Sequence, residues 1–321
     1  MTMSDFWRDR PVLVTGGSGF LGRVVVGRLQ AAGADVAAPR SSQFDLTVPG
    51  AADAMIAANR PSIVIHLAAR VGGIGFNQAE PARLFRDNLL MGTYVIDATL
   101  AAQIDKTVLV GTVCSYPKFT PVPFREESLW DGYPEETNAP YGIAKKANLV
   151  HAQVNAAQYG QRFAYLIPTN LYGPGDKFHP HVSHVIPALI KKCVEAKERG
   201  DDKVEVWGTG RASREYLYVD DAADAIVLAG EAHESVEPVN LGNDHEVTIR
   251  ETVETIARLV GFTGELVWDP TKPDGQPRRR VDATRAANEF GWRASTPFEA
   301  GLTRTIEWYL ANRDEAERLP G

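Results

Sequence analysis

The chain has 321 residues, of which 44% are hydrophobic and 23% are charged, with 28 glycines and 20 prolines. This is the composition of a globular protein of roughly two domains, and it excludes disordered, collagen-like and coiled-coil chains. The formal net charge of −7 argues against a nucleic acid or an anionic membrane as the partner, although a local group of Lys and Arg side chains can still bind a small anion.

Short β-rich segments alternate with helical segments through the first half of the chain. Such alternation is typical of right-handed βαβ units and of a parallel sheet that is covered on both faces. We therefore predict an α/β fold with a Rossmann-like, doubly wound parallel sheet. The predicted strands are 11–15, 35–38, 62–67, 107–111 and 163–168, and the predicted helices are 20–32, 51–58, 81–102 and 141–159.

The pattern changes after Pro168, where residues 170–183 are rich in Gly, Pro, Asn and His and indicate a functional loop. We expect residues 1–170, joined by about 221–241, to form the Rossmann domain. Residues 171–220 and 242–321 should form a smaller C-terminal α/β domain. Further predicted helices are 187–199, 221–232, 249–260 and 298–312, the strands are 205–207, 216–219 and 238–241, and 270–280 is a turn-rich basic stretch.

The two cysteines, Cys114 and Cys193, allow one disulfide at most, which is typical of a reducing compartment. The first residues lack the apolar core of a signal peptide, and no apolar run is long enough to span a membrane. From these features we expect a soluble, cytoplasmic protein without a membrane partner. No paired Cys or His spacing indicates a metal site.

A glycine turn follows the first predicted strand, where residues 15–22 read TGGSGFLG. Gly16, Gly19 and Gly22 provide a tight turn, close approach of the backbone to a pyrophosphate, and close packing of helix on strand. The N-terminus of the following helix offers free N–H groups and the positive end of its dipole to phosphates. The turn therefore predicts dinucleotide binding, with a merely structural turn as the alternative.

The end of the second predicted strand distinguishes between the two nicotinamide cofactors. An acidic residue at this place binds the ribose 2′-hydroxyl of NAD, whereas an arginine accommodates the 2′-phosphate of NADP. Residues 37–42 read AAPRSS and contain no carboxylate. Arg40 with its neighbouring hydroxyls therefore favours NADP(H), the alternative being that Arg40 is an ordinary surface residue.

Tyr141 and Lys145 lie four residues apart at the start of a predicted helix and so project from the same face. A nearby ammonium is expected to lower the pKa of the phenol and to make it a proton donor to an alkoxide formed during hydride transfer. Thr112 follows the preceding strand, and its hydroxyl is placed to bind a substrate carbonyl. A chance Tyr–Lys spacing and a buried structural Thr are the alternatives.

These motifs together resemble the extended short-chain dehydrogenase/reductase superfamily. Within it, CSYPKF at 114–119, PTNLYGP at 168–174, SHVIPALI at 183–190 and WGTGRASREYLYVDD at 207–221 closely resemble the GDP-L-fucose synthase family, the GDP-4-keto-6-deoxy-D-mannose 3,5-epimerase/4-reductases. The similarity extends from Pro11 to about Trp308. Where this family commonly has Ser-Ser-Cys, the chain has Thr112-Val113-Cys114, which retains the first hydroxyl and loses the second.

The resemblance implies which residues bind the two small molecules. For the GDP-sugar it implies Lys192, Trp207, Arg214, Asp274 and Arg278, although Lys191 and Lys192, and the run from Arg278 to Arg280, are equally typical of solvated surfaces. For NADP(H) it implies Gly16, Gly19, Phe20, Leu21, Gly22, Arg40, Asp45, Leu46, Leu67, Ala68, Ala69, Lys145, Pro168, Asn170, Leu171 and His184.

The resemblance also implies catalytic roles, because a 4-keto group acidifies the hydrogens on C-3 and C-5 of the sugar. Cys114 would be the base and His184 the acid of both epimerisations, since thiols and imidazoles titrate nearer neutrality than phenols or amines. Tyr141 would protonate the C-4 oxygen as NADPH delivers hydride, and Lys145 would hold Tyr141 and a cofactor ribose. The alternatives are a buried structural cysteine at 114, and His179 or His181 in place of His184.

The function expected from the sequence is therefore NADPH-dependent 3,5-epimerisation and 4-reduction of a GDP-4-keto-6-deoxy sugar, converting GDP-4-keto-6-deoxy-D-mannose to GDP-L-fucose. An epimerase alone, or an enzyme for another GDP-4-keto sugar such as a heptose, is the second hypothesis. A non-catalytic NADP-binding protein is the third. The resemblance further implies a homodimer that pairs through helices 81–102 and 141–159.

Overall fold

The computed structural model describes residues 5–72, 74–180, 182–272 and 276–318, with the backbone alone for residues 74–76. These ranges contain twelve strands, which are β1 (Pro11–Thr15), β2 (Asp35–Ala37), β3 (Ile63–His66), β4 (Lys106–Val110), β5 (Phe163–Pro168), β6 (Asn170–Tyr172), β7 (Lys203–Trp207), β8 (Ser213–Tyr218), β9 (Pro238–Leu241), β10 (Glu246–Thr248), β11 (Glu265–Asp269) and β12 (Arg278–Arg279).

Eleven α-helices and three 3-10 segments connect the strands in the same described ranges. The 3-10 segments are Asp5–Trp7, Val113–Ser115 and Glu126–Trp130. The helices are α1 (Phe20–Ala31), α2 (Ala51–Asn59), α3 (Ile74–Ala79), α4 (Pro81–Ala101), α5 (Ala139–Tyr159), α6 (Val185–Arg199), α7 (Val219–Ala232), α8 (Ile249–Val260), α9 (Thr284–Phe290), α10 (Phe298–Ala311) and α11 (Arg313–Ala316). None of the described helices has the length and apolar character needed to cross a membrane.

The main sheet has six strands in the order β2-β1-β3-β4-β5-β9, and every pair in it is parallel. Alternate residues of each strand face opposite sides of the sheet. Val12 and Val14 pack with α1 and α7 on one face, while Leu13 packs with α2 and α4 on the other. Helix α5 covers the same second face beside β4 and β5. The predicted α/β fold with a doubly wound parallel sheet is confirmed.

The strand order reverses beside β1, because the chain runs from β1 outward to β2 and then returns to β3 on the other side of β1. In doubly wound sheets, ligands bind in the crevice at such a reversal, outside the carboxyl ends of the strands. The turn after β1 and the residues after β3 meet at this crevice. The fold thus brings the glycine turn and residues 67–69 to one place.

A second hydrophobic core lies among α6, α8, α10 and the small sheets. One small sheet has the order β10-β8-β12 with β6 paired to β8, and the other pairs β11 with β7. Tyr172 contacts Tyr216, Tyr218 and Phe298 edge-on in this core. Helix α8 begins at Thr248, which forms a capping box with Glu251. This core supports the loop that precedes α6.

The short elements β6, β10, β11, β12, α3, α9 and α11 are absent from the sequence prediction. Their few residues carry too little periodicity, and their pairing partners lie far away in the chain. Strand β12 lies inside the stretch predicted as turns, yet it pairs in parallel with β8. Helix α5 begins at Ala139, two residues before the predicted start, because Pro140 is well suited to the first turn of a helix.

Candidate active site

The glycine turn closes tightly at the crevice of the main sheet. Gly16 has a φ of 70°, in the left-handed region that favours glycine. A Cβ on Gly16 would lie 2.7 Å from the backbone nitrogen of Ala68, and a Cβ on Gly22 would lie 2.1 Å from the carbonyl oxygen of Gly16. Glycine is therefore required at both positions, and Gly19, Phe20 and Leu21 follow at the open start of α1.

The ends of β1 and β3 are joined by a buried hydrogen-bonded pair beneath this turn. The Oγ1 of Thr15 lies 2.7 Å from Nδ1 of His66, and the backbone N–H of Ala68 donates to the same Oγ1 at 3.2 Å. Burial, and to a lesser degree the charge of Lys145, lowers the pKa of His66 to about 3. His66 is therefore neutral at neutral pH and orders the segment that contains Leu67, Ala68 and Ala69.

Three residues predicted to bind the cofactor differ in how far their side chains are free to contact a ligand. They are Arg40, Asp45 and Leu46. Arg40 is exposed, and its guanidinium makes no ion pair or hydrogen bond within the described residues, whereas its backbone N–H donates to Gln43. Asp45 accepts bonds from the backbone and hydroxyl of Thr47, which hold the pKa of Asp45 below its usual value. Leu46 is buried in the core with Met55, so its side chain serves packing rather than a ligand.

Pro168, Asn170 and Leu171 lie where β5 ends and β6 begins. Pro168 is buried and pairs with β9. The side-chain amide of Asn170 donates to the carbonyl oxygen of Glu215 at 2.9 Å, and Leu171 is half-buried beside the core of the main sheet. These residues line the carboxyl end of β5, which is separated from β1 and its glycine turn by the two strands β3 and β4.

Thr112 and Cys114 follow β4 in a 3-10 turn. The backbone N–H of Cys114 donates to Thr112 Oγ1 at 3.2 Å, so the threonine caps the turn and its hydroxyl proton remains available. Ser115 Oγ donates to the carbonyl oxygen of Gly142 at 3.0 Å. A Cβ on Gly142 would lie 2.3 Å from the carbonyl oxygen of Cys114. The glycine therefore lets the start of α5, which carries Tyr141, pack directly against the cysteine.

Tyr141 and Lys145 are near one another, but their electrostatics differ from the prediction. The Nζ of Lys145 lies 5.9 Å from the centre of the Tyr141 ring. Burial, together with the electrostatic effect of nearby Cys114, raises the pKa of Tyr141, and burial lowers the pKa of Lys145 to about 8. The expectation that Lys145 lowers the pKa of this phenol is wrong for this structure, because burial outweighs a cation that faces the ring. Tyr141 keeps its proton at neutral pH.

His184 occupies the N-cap position of α6, and its side chain is exposed. The protein packed around the imidazole and the positive charge of Lys177 both lower the pKa of His184, although the ring remains open to solvent. His179 is half-buried earlier in the same loop, and His181 lies outside the described residues. The imidazole of His184 is therefore mainly neutral at neutral pH.

The sequence analysis did not single out Asp176 and Lys177, which precede the histidines in this loop. Asp176 is buried and accepts the backbone N–H of Lys177 at 2.7 Å. Burial raises the pKa of Asp176 to about 7 and lowers that of Lys177. In the sequence, the only signal for a special role of these two residues was an ionisable pair placed between the glycines of residues 173–175 and Phe178.

The residues predicted to bind the substrate lie in different surroundings. Trp207 is 60% exposed, and the Nζ atoms of Lys192 and Lys272 lie 5.6 and 5.5 Å from the centre of its ring. Arg214 is half-buried and donates to the carbonyl oxygens of Ser213 and Gln276. Asp274, which the resemblance also assigned to the substrate, lies outside the described residues.

The basic run in β12 is divided between two environments, since successive residues of a strand face opposite sides. Arg278 is exposed and forms a bidentate ion pair with Glu246, at 2.9 and 2.5 Å. Arg279 is buried, and its Nη1 lies 3.8 Å from the sulfur of Cys114. The structure thus brings Arg279, rather than Arg278, to the cysteine, and only the basic composition of the run pointed to it.

The chain is similar to known proteins over most of its length. The model of the NAD dependent epimerase/dehydratase family matches residues 12–242. The probable GDP-L-fucose synthase 1 of Oryza sativa subsp. japonica is 41% identical over 309 residues, which cover 96% of this chain and 94% of the rice protein. The chain belongs to the GDP-L-fucose synthase family. The family resemblance predicted from the motifs is confirmed.

Two solved structures show how closely this fold follows other members of the superfamily. A GDP-L-fucose synthetase from Naegleria fowleri bound to NADP has a TM-score of 0.86 at 29% identity, covering 97% of each chain. A GDP-6-OMe-4-keto-L-xylo-heptose reductase from C. jejuni has a TM-score of 0.88 at 26% identity, covering 94% of this chain and 98% of the reductase. Both a fucose synthetase and a heptose reductase therefore share the fold of this GDP-L-fucose synthase family member.

Proposed function

We propose that the protein is an NADPH-dependent enzyme that inverts C-3 and C-5 and reduces C-4 of GDP-4-keto-6-deoxy-D-mannose, yielding GDP-L-fucose. The observation that carries this proposal is the packing of Cys114 against the start of α5, which sets a thiol beside the phenol of Tyr141. A simple carbonyl reductase needs the threonine, the tyrosine and the lysine, but no thiol. A thiol beside it suits an enzyme that also removes protons next to the carbonyl.

The residues at the crevice fit NADP(H). Gly16 and Gly22 leave no room for a Cβ because the protein's own backbone lies against them, and Gly19 at the N-cap of α1 leaves the start of this helix open to a pyrophosphate. The guanidinium of Arg40 is free within the described residues and matches the geometry of a 2′-phosphate. When bound there, NADPH supplies the hydride that reduces C-4. Residues 1–170, with 221–241, would form the domain that binds it, and 171–220 and 242–321 the substrate domain.

In the reduction step, Tyr141 is the proton donor. Its pKa is raised, so the phenol carries a proton at neutral pH and donates it to the C-4 oxygen as that oxygen gains charge. The hydroxyl of Thr112 donates a hydrogen bond to the same oxygen. The ammonium of Lys145 stabilises the phenolate that remains, since an opposite charge favours the ionised form.

In the two epimerisations, Cys114 is the base that removes a proton from the sugar, and His184 is the acid that returns one. The thiolate of Cys114 takes a proton from C-3 or C-5, and the electron pair moves into the enolate with the C-4 oxygen. The imidazolium form of His184, a minor species at neutral pH, then protonates the opposite face of that carbon and becomes neutral. Between the two inversions the imidazole, which is open to solvent, takes up a new proton, and the thiol releases to solvent the proton that it removed from the sugar.

The GDP portion would bind at Trp207 and the cations around it. An exposed indole between Lys192 and Lys272 offers a flat apolar surface and positive charge, which suit a base and a diphosphate. Arg214 on β8, which donates to the carbonyl oxygen of Gln276, is a further candidate cation for the diphosphate. The ion pair between Arg278 and Glu246 makes Arg278 a weaker candidate for the diphosphate than these residues.

The second candidate function is epimerisation or reduction of another GDP-4-keto sugar, for example a heptose. Two observations favour it: Val113 removes a hydroxyl beside the site, and a GDP-heptose reductase shares the fold. Substrate choice distinguishes the two candidates. The heptose substrate should be turned over faster than the 6-deoxyhexose if the second candidate is correct.

Turnover in deuterated water tests the proposed reaction. The purified protein should oxidise one NADPH for each GDP-4-keto-6-deoxy-D-mannose consumed, and the product should carry deuterium at C-3 and C-5. NADPH oxidation without deuterium would leave a reductase, and deuterium without NADPH oxidation would leave an epimerase. No turnover at saturating substrate, with NADPH shown to bind, would reject this sugar as the substrate.

We also propose that two copies pair through α4 and α5 in the cytoplasm. Phe85, Val150 and Val154 are exposed apolar side chains on these two helices, and Phe85 borders a groove with Tyr133 and Ile143. Both cysteines are free thiols, as a reducing compartment requires. Light scattering should give the mass of a dimer, and Val154→Glu should reduce it to that of a monomer if α5 forms the interface.

A further inference from the structure

A cation, Arg279, lies beside the candidate base, and the sequence analysis considered it only as part of the basic run at 278–280. Its Nη1 lies 3.8 Å from the sulfur of Cys114, a distance at which an N–H group can donate to sulfur. The arginine is buried, although it belongs to a run of three basic residues in which Arg278 is exposed. Burial of a guanidinium against a single thiol requires a reason.

The surroundings hold this guanidinium in place from both sides. Its Nε donates to Gln276 Oε1 at 3.1 Å, and the amide of Gln276 donates to the carbonyl oxygen of Lys118 at 3.1 Å. Lys118 lies four residues after Cys114, so one hydrogen-bonded chain connects Arg279 to the loop of the cysteine. The next residue, Arg280, accepts the backbone N–H of Phe124 at 2.8 Å. The geometry is therefore built by long-range contacts.

The charge of Arg279 is directed at the sulfur rather than at a carboxylate. In the part of the chain that the structure describes, no acidic side chain lies within ion-pairing distance of Arg279, whereas its neighbour Arg278 is paired with Glu246. A cation beside a cysteine favours the thiolate, which is the form that accepts a proton. An unpaired cation in a buried site acts strongly because water screens it little.

We propose that Arg279 is a positioning residue of the epimerisation, orienting the Cys114 sulfur and stabilising its thiolate before proton removal. The inference rests on the proposed function for its role in turnover, but not for the thiol chemistry itself. The thiolate takes a proton from C-3 or C-5, the carbon's electron pair passes into the enolate, and the guanidinium is unchanged throughout.

The pH dependence of Cys114 alkylation by iodoacetamide tests this inference without any sugar. The rate is followed by mass spectrometry of the peptide that contains Cys114. This measurement excludes any contribution from Cys193, which is fully buried. Arg279→Gln should move the midpoint of the rate upward and slow alkylation at pH 7 by about tenfold. Arg279→Lys should restore much of the rate, and Arg278→Gln should leave the midpoint unchanged.

Turnover kinetics distinguish an effect of Arg279 on the Cys114 thiol from an effect of Arg279 on substrate binding. In Arg279→Gln, deuterium exchange at C-3 and C-5 should fall about tenfold in kcat, with KM for the GDP-sugar near that of the wild type. An unchanged alkylation midpoint with a raised KM would assign Arg279 to the diphosphate and overturn the inference. An unchanged midpoint and unchanged KM would overturn it as well.

A second variant keeps the test decisive if Arg279→Gln does not fold. Gln276→Leu retains the arginine and removes the side chain that holds its Nε. The midpoint of alkylation should shift in the same direction by a smaller amount. No shift of the midpoint in a folded Gln276→Leu would contradict the inference. Because alkylation needs no sugar, its result stands whether or not the proposed substrate is correct.

Discussion

Gly142 and Cys114 approach each other so closely that a Cβ on the glycine would lie 2.3 Å from the carbonyl oxygen of the cysteine. This contact joins the turn after β4 to the first turn of α5. The backbone that carries the thiol is therefore packed directly against the helix turn that carries the phenol of Tyr141.

Gly142→Ala should force the turn after β4 away from the first turn of α5. The added methyl group must displace backbone atoms, so we expect a loss of about 1–3 kcal/mol in the free energy of unfolding and at least tenfold lower turnover. Urea unfolding and NADPH oxidation measure the two effects. Gly27→Ala is the matched control, because a Cβ on Gly27 in α1 meets nothing within 4 Å. Equal effects of the two substitutions would contradict the role of the close contact.

Arg40→Ala should weaken the preference for NADPH. The free guanidinium is expected to bind the 2′-phosphate, which NADH lacks, so KM for NADPH should rise by about tenfold or more while KM for NADH stays near that of the wild type. Steady-state kinetics with both cofactors provide the measurement and its internal control. A parallel change in both KM values would mean that Arg40 does not distinguish them.

Asp176 should make stability depend on pH. Burial raises the pKa of Asp176 to about 7 from an ordinary value of 3.8, so the folded protein retains a proton that the unfolded chain has lost. Stability should therefore fall as pH rises from about 4 to 7, and the loss should be complete above that range. Asp176→Asn cannot ionise. Relative to the wild type, it should gain about 2 kcal/mol between pH 5 and pH 8 in urea unfolding.

A difference between Asp176→Asn and the wild type that stays constant from pH 5 to pH 8 would contradict this account. Glu126→Gln is a useful comparison at a distant buried carboxyl, whose pKa is also raised by burial. Because burial raises both pKa values, Glu126→Gln should change the pH dependence of stability in the same direction as Asp176→Asn.

The sequence predicts the elements whose signals are local. Strands β1, β5 and β9 and helix α8 have the predicted bounds, because apolar runs and glycine caps are properties of neighbouring residues. The glycine turn is of the same kind, since its spacing and its structural consequence lie within eight residues. These features explain why the fold class could be predicted from the chain alone.

The missing parts depend on contacts between distant residues. Arg279 reaches Cys114 only because β12 pairs with β8 and Gln276 bonds to Lys118, and no pattern within the basic run distinguishes it from Arg278. The raised pKa of Tyr141 was missed for a related reason. The spacing of Tyr141 and Lys145 shows their proximity, but it does not show how deeply both are buried.

Tyr141→Phe should separate reduction from epimerisation. The phenylalanine keeps the ring and removes the proton donor, so NADPH oxidation should fall by about 100-fold or more. Exchange of solvent deuterium into the sugar should fall much less, because Cys114 and His184 carry it. Stopped-flow absorbance and mass spectrometry on the same samples compare the two rates. Equal losses of both would indicate that Tyr141 serves the enolate as well as the alkoxide.

The measurement that most directly tests the account is deuterium incorporation into GDP-4-keto-6-deoxy-D-mannose by Cys114→Ser in deuterated water. Serine keeps the shape of the site but is a far weaker base, so we expect incorporation at C-3 and C-5 to fall by about 100-fold or more while affinity for NADPH stays near that of the wild type. Wild-type levels of deuterium at both carbons in Cys114→Ser would contradict the assignment of Cys114 as the base.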